Sequence, residues 1–206
     1  MSRTIDYYFT HLSPWAYLGH QAFRELCAKQ GVTIRARPVD LGGVFESSGG
    51  VPLAKRHPVR MDYRLIELQR WQEARGIPLT FKPAFFPVAP GLADRAGIAF
   101  ELSGGNMLDY SLGVFQAIWT KDQNIADEGV ITSVLESLGA DAAKVLTAAK
   151  GDEVEEAYQA NKKDAIATGI IGSPCYVLKG EPFWGQDRLD LLERALVSDR
   201  PAFRPL

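Results

Sequence analysis

The chain has 206 residues, 46% hydrophobic and 23% charged, with 23 basic against 25 acidic side chains. That balance excludes a disordered chain, gives enough material for a sizeable core, and leaves no basic excess to draw nucleic acid or an anionic membrane. No apolar run reaches the ~20 residues of a bilayer span, and the first residues carry Arg3 and Asp6 instead of a signal-peptide core, so a soluble cytoplasmic protein is expected.

In chain order, Ile5 to Phe9 is a β-branched and aromatic run that suits a central strand covered on both faces. From Pro14 to Lys29, Tyr17, Leu18, Ala22, Phe23 and Leu26 recur at helical spacing, and Gly31 is a stop signal. Pro14 suits the first helical position and Ser13 the N-cap. Val32 to Val39 alternates as a second strand and completes a βαβ unit. Gly42-Gly43 and Ser47-Ser48-Gly49-Gly50 then read as flexible punctuation, which places an insertion boundary near residue 43. Helices are predicted over 60–75, 93–102, 106–120, 129–138 and 153–168, with an extended, proline-broken aromatic loop from Phe81 to Pro90. Ser173 to Leu178 and Pro182 to Trp184 form a hairpin about Lys179-Gly180-Glu181, followed by a last helix over 187–196. The fold class is therefore α/β, a βαβ…ββα sheet whose order resembles the thioredoxin-like fold. Residues 1–43 and 153–206 form one discontinuous domain, and residues 44–152 form an all-helical insertion domain.

Three short motifs carry candidate chemistry. Ser13-Pro14 opens the first helix where a thioredoxin-like fold carries a redox cysteine; a serine there cannot shuttle electrons, but it can donate to a thiolate brought by a ligand. Gly172-Ser173-Pro174 leads into a strand, and in such a sheet this proline is cis and faces the first helix. In Trp184-Gly185-Gln186-Asp187-Arg188, Gly185 permits close backbone approach, and Asp187 is a candidate to hold an ammonium. Each has a plainer alternative: Ser13 as a simple cap, Pro174 as an ordinary trans proline at a strand start, Asp187 as a capping residue. Cys27 and Cys175 form no C-x-x-C and are not expected to pair in a reducing compartment, and no residue group has metal-ligand spacing. His11 lies two residues before Ser13 and reads either as a proton-transfer group or as a partly exposed polar neighbour.

Together with Gly42 to Phe45, Phe86-Pro87 and Gly169 to Pro174, these motifs resemble the 2-hydroxychromene-2-carboxylate isomerase family over nearly the whole chain. That family stands beside kappa-class glutathione transferases and disulfide-forming oxidoreductases. The resemblance implies glutathione as cofactor, with Ser13 hydrogen-bonded to its sulfur. It further implies Ser173, beside Pro174, pairing with the cysteinyl backbone, and Trp184, Gly185, Gln186 and Asp187 holding the γ-glutamyl end. It also implies a homodimer, and a reaction in which a hemiketal opens to trans-o-hydroxybenzylidenepyruvate by transient thiolate addition. The sequence departs from the family where Gly50 stands in place of a usual Asn.

A free thiol has pKa ~8.5, and lowering it by about two units needs roughly 2.7 kcal/mol. A helix N-terminus supplies about 0.3–1 kcal/mol, up to ~2 when partly buried; a hydrogen bond to a charged acceptor adds about 1.5–3 kcal/mol, so Ser13 and the helix together meet the requirement. For a flat aromatic carboxylate, Phe45, Phe85 and Phe86 are candidate walls and Lys55, His57 and Arg60 candidate cations; each aromatic has the plainer reading of a core residue, and the charge run that of a solvated surface. Two alternatives stay open: conjugation of electrophiles in the manner of kappa-class transferases, and a non-catalytic thioredoxin-like module that binds thiols.

Overall fold

The computed structural model describes residues 3–206. Strand β1 (Arg3–Phe9), helix α1 (Pro14–Gln30) and strand β2 (Val32–Pro38) form the opening unit, with β1 and β2 parallel from Arg3↔Val32 to Phe9↔Pro38. Helices α2 (Leu41–Ser48), α3 (Pro58–Arg75), α4 (Gly91–Leu102), α5 (Met107–Trp119), α6 (Glu128–Ser137), α7 (Ala142–Ala148) and α8 (Asp152–Ala167) follow. Strands β3 (Cys175–Leu178) and β4 (Glu181–Trp184) and helix α9 (Leu189–Ser198) close the chain. The sheet order is β2-β1-β3-β4, with β1/β3 and β3/β4 antiparallel. The hairpin turns at Lys179 and Gly180, which have φ of 52° and 79°, the paired left-handed conformation that matches strand twist.

Both faces of β1 are covered, as its apolar run requires. Ile5, Tyr7 and Phe9 point into the main core, with Leu18, Phe23, Tyr176 and Phe183. Tyr8 points the other way, against Val39, Val44, Ala165 and Val177. The main core does not stop at the sheet: it runs on through Phe115, Ile118, Leu135 and Val154 of the helices. Phe115 inserts between Phe9 and Tyr17, at 6.0 Å from each ring, so the helical segment and the β1–α1 unit share one hydrophobic cluster.

Two segments depart from the sequence reading. Gly42-Gly43 and Ser47-Ser48 are not flexible punctuation; they lie in α2, capped by Asp40 Oδ1, which accepts from Gly42 N at 3.1 Å, and stopped by Gly49 at φ 72°. The glycines serve close packing, since a Cβ on Gly43 would come 2.8 Å from Lys162 Cδ on α8. Helix α7 is the second: its seven residues, capped by Asp141, are too short to carry a periodic signal in the sequence. Residues 78–90 form no helix or strand, in keeping with their prolines. Among the described residues, no helix is long and apolar enough to cross a membrane.

Candidate active site

The site begins at the C-terminal end of β1. Gly31 at φ 61° stops α1 at one end. At the other end Ser13 has φ −93° and ψ 111°, the extended conformation of an N-cap, and its hydroxyl oxygen accepts from Ala16 N at 3.1 Å. The same hydroxyl donates to the Ser173 carbonyl at 3.0 Å. Ser173-Pro174 is cis, so the cis-proline loop faces the start of α1 and is tied to it through Ser13. Thr10 N donates to Ser173 Oγ at 3.2 Å and fastens the loop a second time.

The Trp184–Asp187 segment is tied to the same loop, since Gly185 N donates to Pro174 O at 2.9 Å. Gly185 has φ 105°, which only glycine adopts without strain. Trp184 is 52% exposed and packs over Gly172, and Asp187 is exposed, paired with its neighbour Arg188 at 2.5 Å. Two expectations change here. The last α-helix starts at Leu189, not Asp187, because Gln186–Arg188 is a 3-10 turn. Gln186 turns inward: it is buried, its amide oxygen accepts from Arg75 Nη2 at 2.8 Å, and it abuts Gly19, where a Cβ would fall 2.5 Å away. Its side chain is a strut between α3, α1 and the turn, directed away from solvent.

His11 is fully buried, which overturns the reading as a partly exposed neighbour. Its Nδ1 meets Asp94 Oδ1 at 2.6 Å and its Nε2 meets Ser111 Oγ at 3.1 Å. Asp94 Oδ2 also accepts from Tyr158 Oη at 3.1 Å and Thr10 Oγ1 at 3.4 Å. Buried carboxylates survive only when so saturated with donors. Asp94 thus anchors the Thr10-His11 backbone just ahead of Ser13, from α4. The signal in the sequence was a lone Asp in an apolar helix; its partner, 83 residues away, was not readable.

The remaining candidates fall on the α2–α3 side. Phe86 leans on Trp119 at 5.1 Å, and Trp119 Nε1 donates to His11 O at 3.3 Å, which links Phe86 to the Ser13 turn. Phe85 is 46% exposed. Phe45 covers Gly50, where a Cβ would meet its ring, so a side chain at this position would force the ring to move. Lys55 and Arg60 are exposed, and His57 Nδ1 caps α3 by accepting from Val59 N at 3.3 Å. Arg64, which no sequence motif marks, is half-buried over the Phe86 ring at 5.7 Å. Cys27 and Cys175 are free and buried, and burial pushes both thiols up to about 12, so neither offers a thiolate.

The DSBA-like thioredoxin domain family matches residues 4–197 of this chain. A 2-hydroxychromene-2-carboxylate isomerase from Pseudomonas putida is 34% identical over 195 residues, covering 93% of each protein. Glutathione S-transferase kappa 1 from Caenorhabditis elegans is 25% identical over 209 residues, covering 96% of this chain and 92% of that protein. Among solved structures, a 2-hydroxychromene-2-carboxylate isomerase superposes with a TM-score of 0.81 at 32% identity, covering 95% of both chains.

Proposed function

Since this chain belongs to the DSBA-like thioredoxin domain family and, within it, to the 2-hydroxychromene-2-carboxylate isomerase family, we propose a glutathione-dependent isomerase that converts 2-hydroxychromene-2-carboxylate, or a similar aromatic catabolite, to trans-o-hydroxybenzylidenepyruvate. The observation that carries this reading is the Ser13 hydroxyl, buried at the start of α1 and bonded across to the carbonyl beside the cis proline. The groups present fit a thiol ligand with a peptide backbone: a helix N-terminus and a hydroxyl that can donate lie beside a peptide carbonyl that can accept, and both of the chain's own thiols are buried and protonated. The similarity to glutathione transferases of the kappa class supports glutathione as that ligand.

Glutathione, when bound, would supply a thiolate for reversible addition to the conjugated double bond of the ring-opened hemiketal. Ser13 lowers the cost of that anion without forming a bond to substrate. Its proton is committed to the Ser173 carbonyl, so a ligand N–H placed on that carbonyl frees the hydroxyl to turn toward sulfur. Trp184 offers an exposed aromatic face and Asp187 a surface carboxylate for the ammonium end of the tripeptide.

The test follows the absorbance of the chromene substrate with and without glutathione, in the wild type and in Ser13→Ala. Removal of one hydrogen bond to a charged acceptor, worth about 1.5–3 kcal/mol, is expected to lower kcat/KM by about ten- to a hundredfold. Turnover that ignores both glutathione and the substitution would refute the proposal. A second reading, conjugation of an electrophile, draws on the kappa-class relative; a stable thioether product in place of the isomer would favour it.

A further inference from the structure

Arginines in this chain are, with few exceptions, spoken for. Among the described residues, the half-buried Arg3, Arg24, Arg37, Arg56, Arg75, Arg95 and Arg200 each donate to a protein acceptor, such as Asp109 for Arg24 and Glu155 for Arg95. Arg64 is the half-buried arginine that meets no acceptor. Its guanidinium lies over the Phe86 ring, and burial together with the nearby positive charge of Arg56 lowers its pKa to about 10. It remains a cation at neutral pH. A partly desolvated cation with its fork of N–H donors unused is costly unless an anion arrives to take them.

We propose that Arg64 is the residue that binds the substrate's carboxylate, at a site walled by Phe86 and selective for planar aromatic acids. This rests on the isomerase reading given above and replaces Lys55, His57 and Arg60 as the anchoring cation. Three observations favour it over them. Lys55 and Arg60 are solvated at the surface, where an ion pair is worth little, and His57 is occupied in capping α3. The Arg64 guanidinium is shielded on one face by an aromatic ring, which leaves its edge for a bidentate carboxylate. A continuous series of contacts also runs from Arg64 to Phe86, to Trp119 and to the His11 carbonyl, two residues ahead of Ser13. The carboxylate of glutathione itself offers the same chemistry, but an aromatic wall adds nothing to an aliphatic glycyl group and favours the conjugated acid.

The experiment uses the inert acid cinnamate and its neutral counterpart cinnamamide, titrated calorimetrically into wild-type, Arg64→Gln and Arg64→Lys proteins, with glutathione titrated separately. The Kd of cinnamate is expected to rise about tenfold in Arg64→Gln and to recover partly in Arg64→Lys. Cinnamamide and glutathione should bind all three alike. Equal binding of cinnamate to wild type and Arg64→Gln overturns the assignment, and so does a loss confined to glutathione. Thermal unfolding of Arg64→Gln should show a Tm at or above that of wild type, because an unpaired, desolvated charge has been removed; a fall of several degrees would mark a structural residue and also overturn it. Cinnamate that binds through Arg64 in a protein that does not isomerise the chromene refutes only the isomerase reading, and normal isomerisation with Arg64-independent binding refutes only this one.

Discussion

The two sides of the candidate site are built on opposite terms. On the side of the β1–α1 turn, Thr10, His11, Ser13, Ser173, Asp94, Ser111 and Tyr158 are all buried, and each polar side chain has at least one partner within the protein. On the α3 and Phe81–Pro90 side, Arg64 meets no anion among the described residues, Phe85 stands half in solvent, and Lys55 and Arg60 are surface cations. The first side is preorganised before any ligand arrives. The second is left unsatisfied, as expected of a surface completed by what it binds.

That contrast breaks most decisively at Asp94. Asp94→Ala leaves His11, Tyr158 and Thr10 facing an empty space and is expected to cost about 3–5 kcal/mol, read by urea denaturation. Next is His20, on the same buried side. Burial lowers its pKa from 6.5 to about 4; its Nε2 meets the Leu108 carbonyl at 2.9 Å, and its Nδ1 has no partner. The unfolded chain takes up the proton below its pKa of ~6.5 while the folded one resists until pH 4, so stability falls as pH drops through that window, by on the order of 3 kcal/mol. His20→Gln should flatten the fall, and a pH series of denaturation midpoints measures it.

Gly19→Ala tests the strut behind the Trp184–Asp187 turn. A Cβ would lie 2.5 Å from Gln186 Cβ and 3.0 Å from Tyr176 Oη, so the Trp184–Asp187 turn must shift. A loss of about 1–3 kcal/mol is expected, with weaker glutathione binding in calorimetry. Smallest is Phe85→Ala on the open side, with less than ~0.5 kcal/mol lost in thermal or chemical unfolding. A larger cost there would show that the open side is packed as tightly as the other.

Much of the fixed side was legible because it is written in local backbone chemistry. Ser13-Pro14 sets a helix start, Gly31 a stop and Lys179-Gly180 a hairpin turn through φ preferences and capping that act within a few residues. What was misread locally had tertiary causes. Gly42-Gly43 resemble a flexible joint, but they are held helical by the Asp40 cap and by the approach of α8. Gln186 lies in a motif read as ligand-facing, yet Arg75 draws it inward from 111 residues away.

By itself, then, the sequence determined the βαβ start, the hairpin end and the serine at the head of α1, because caps, turns and apolar periods are short-range properties of the chain. Only the tertiary structure decided that His11 is locked to Asp94 and that Arg64 is left without a partner. Whether a charge is paired depends on which distant segments converge on it, and residue type does not encode that convergence.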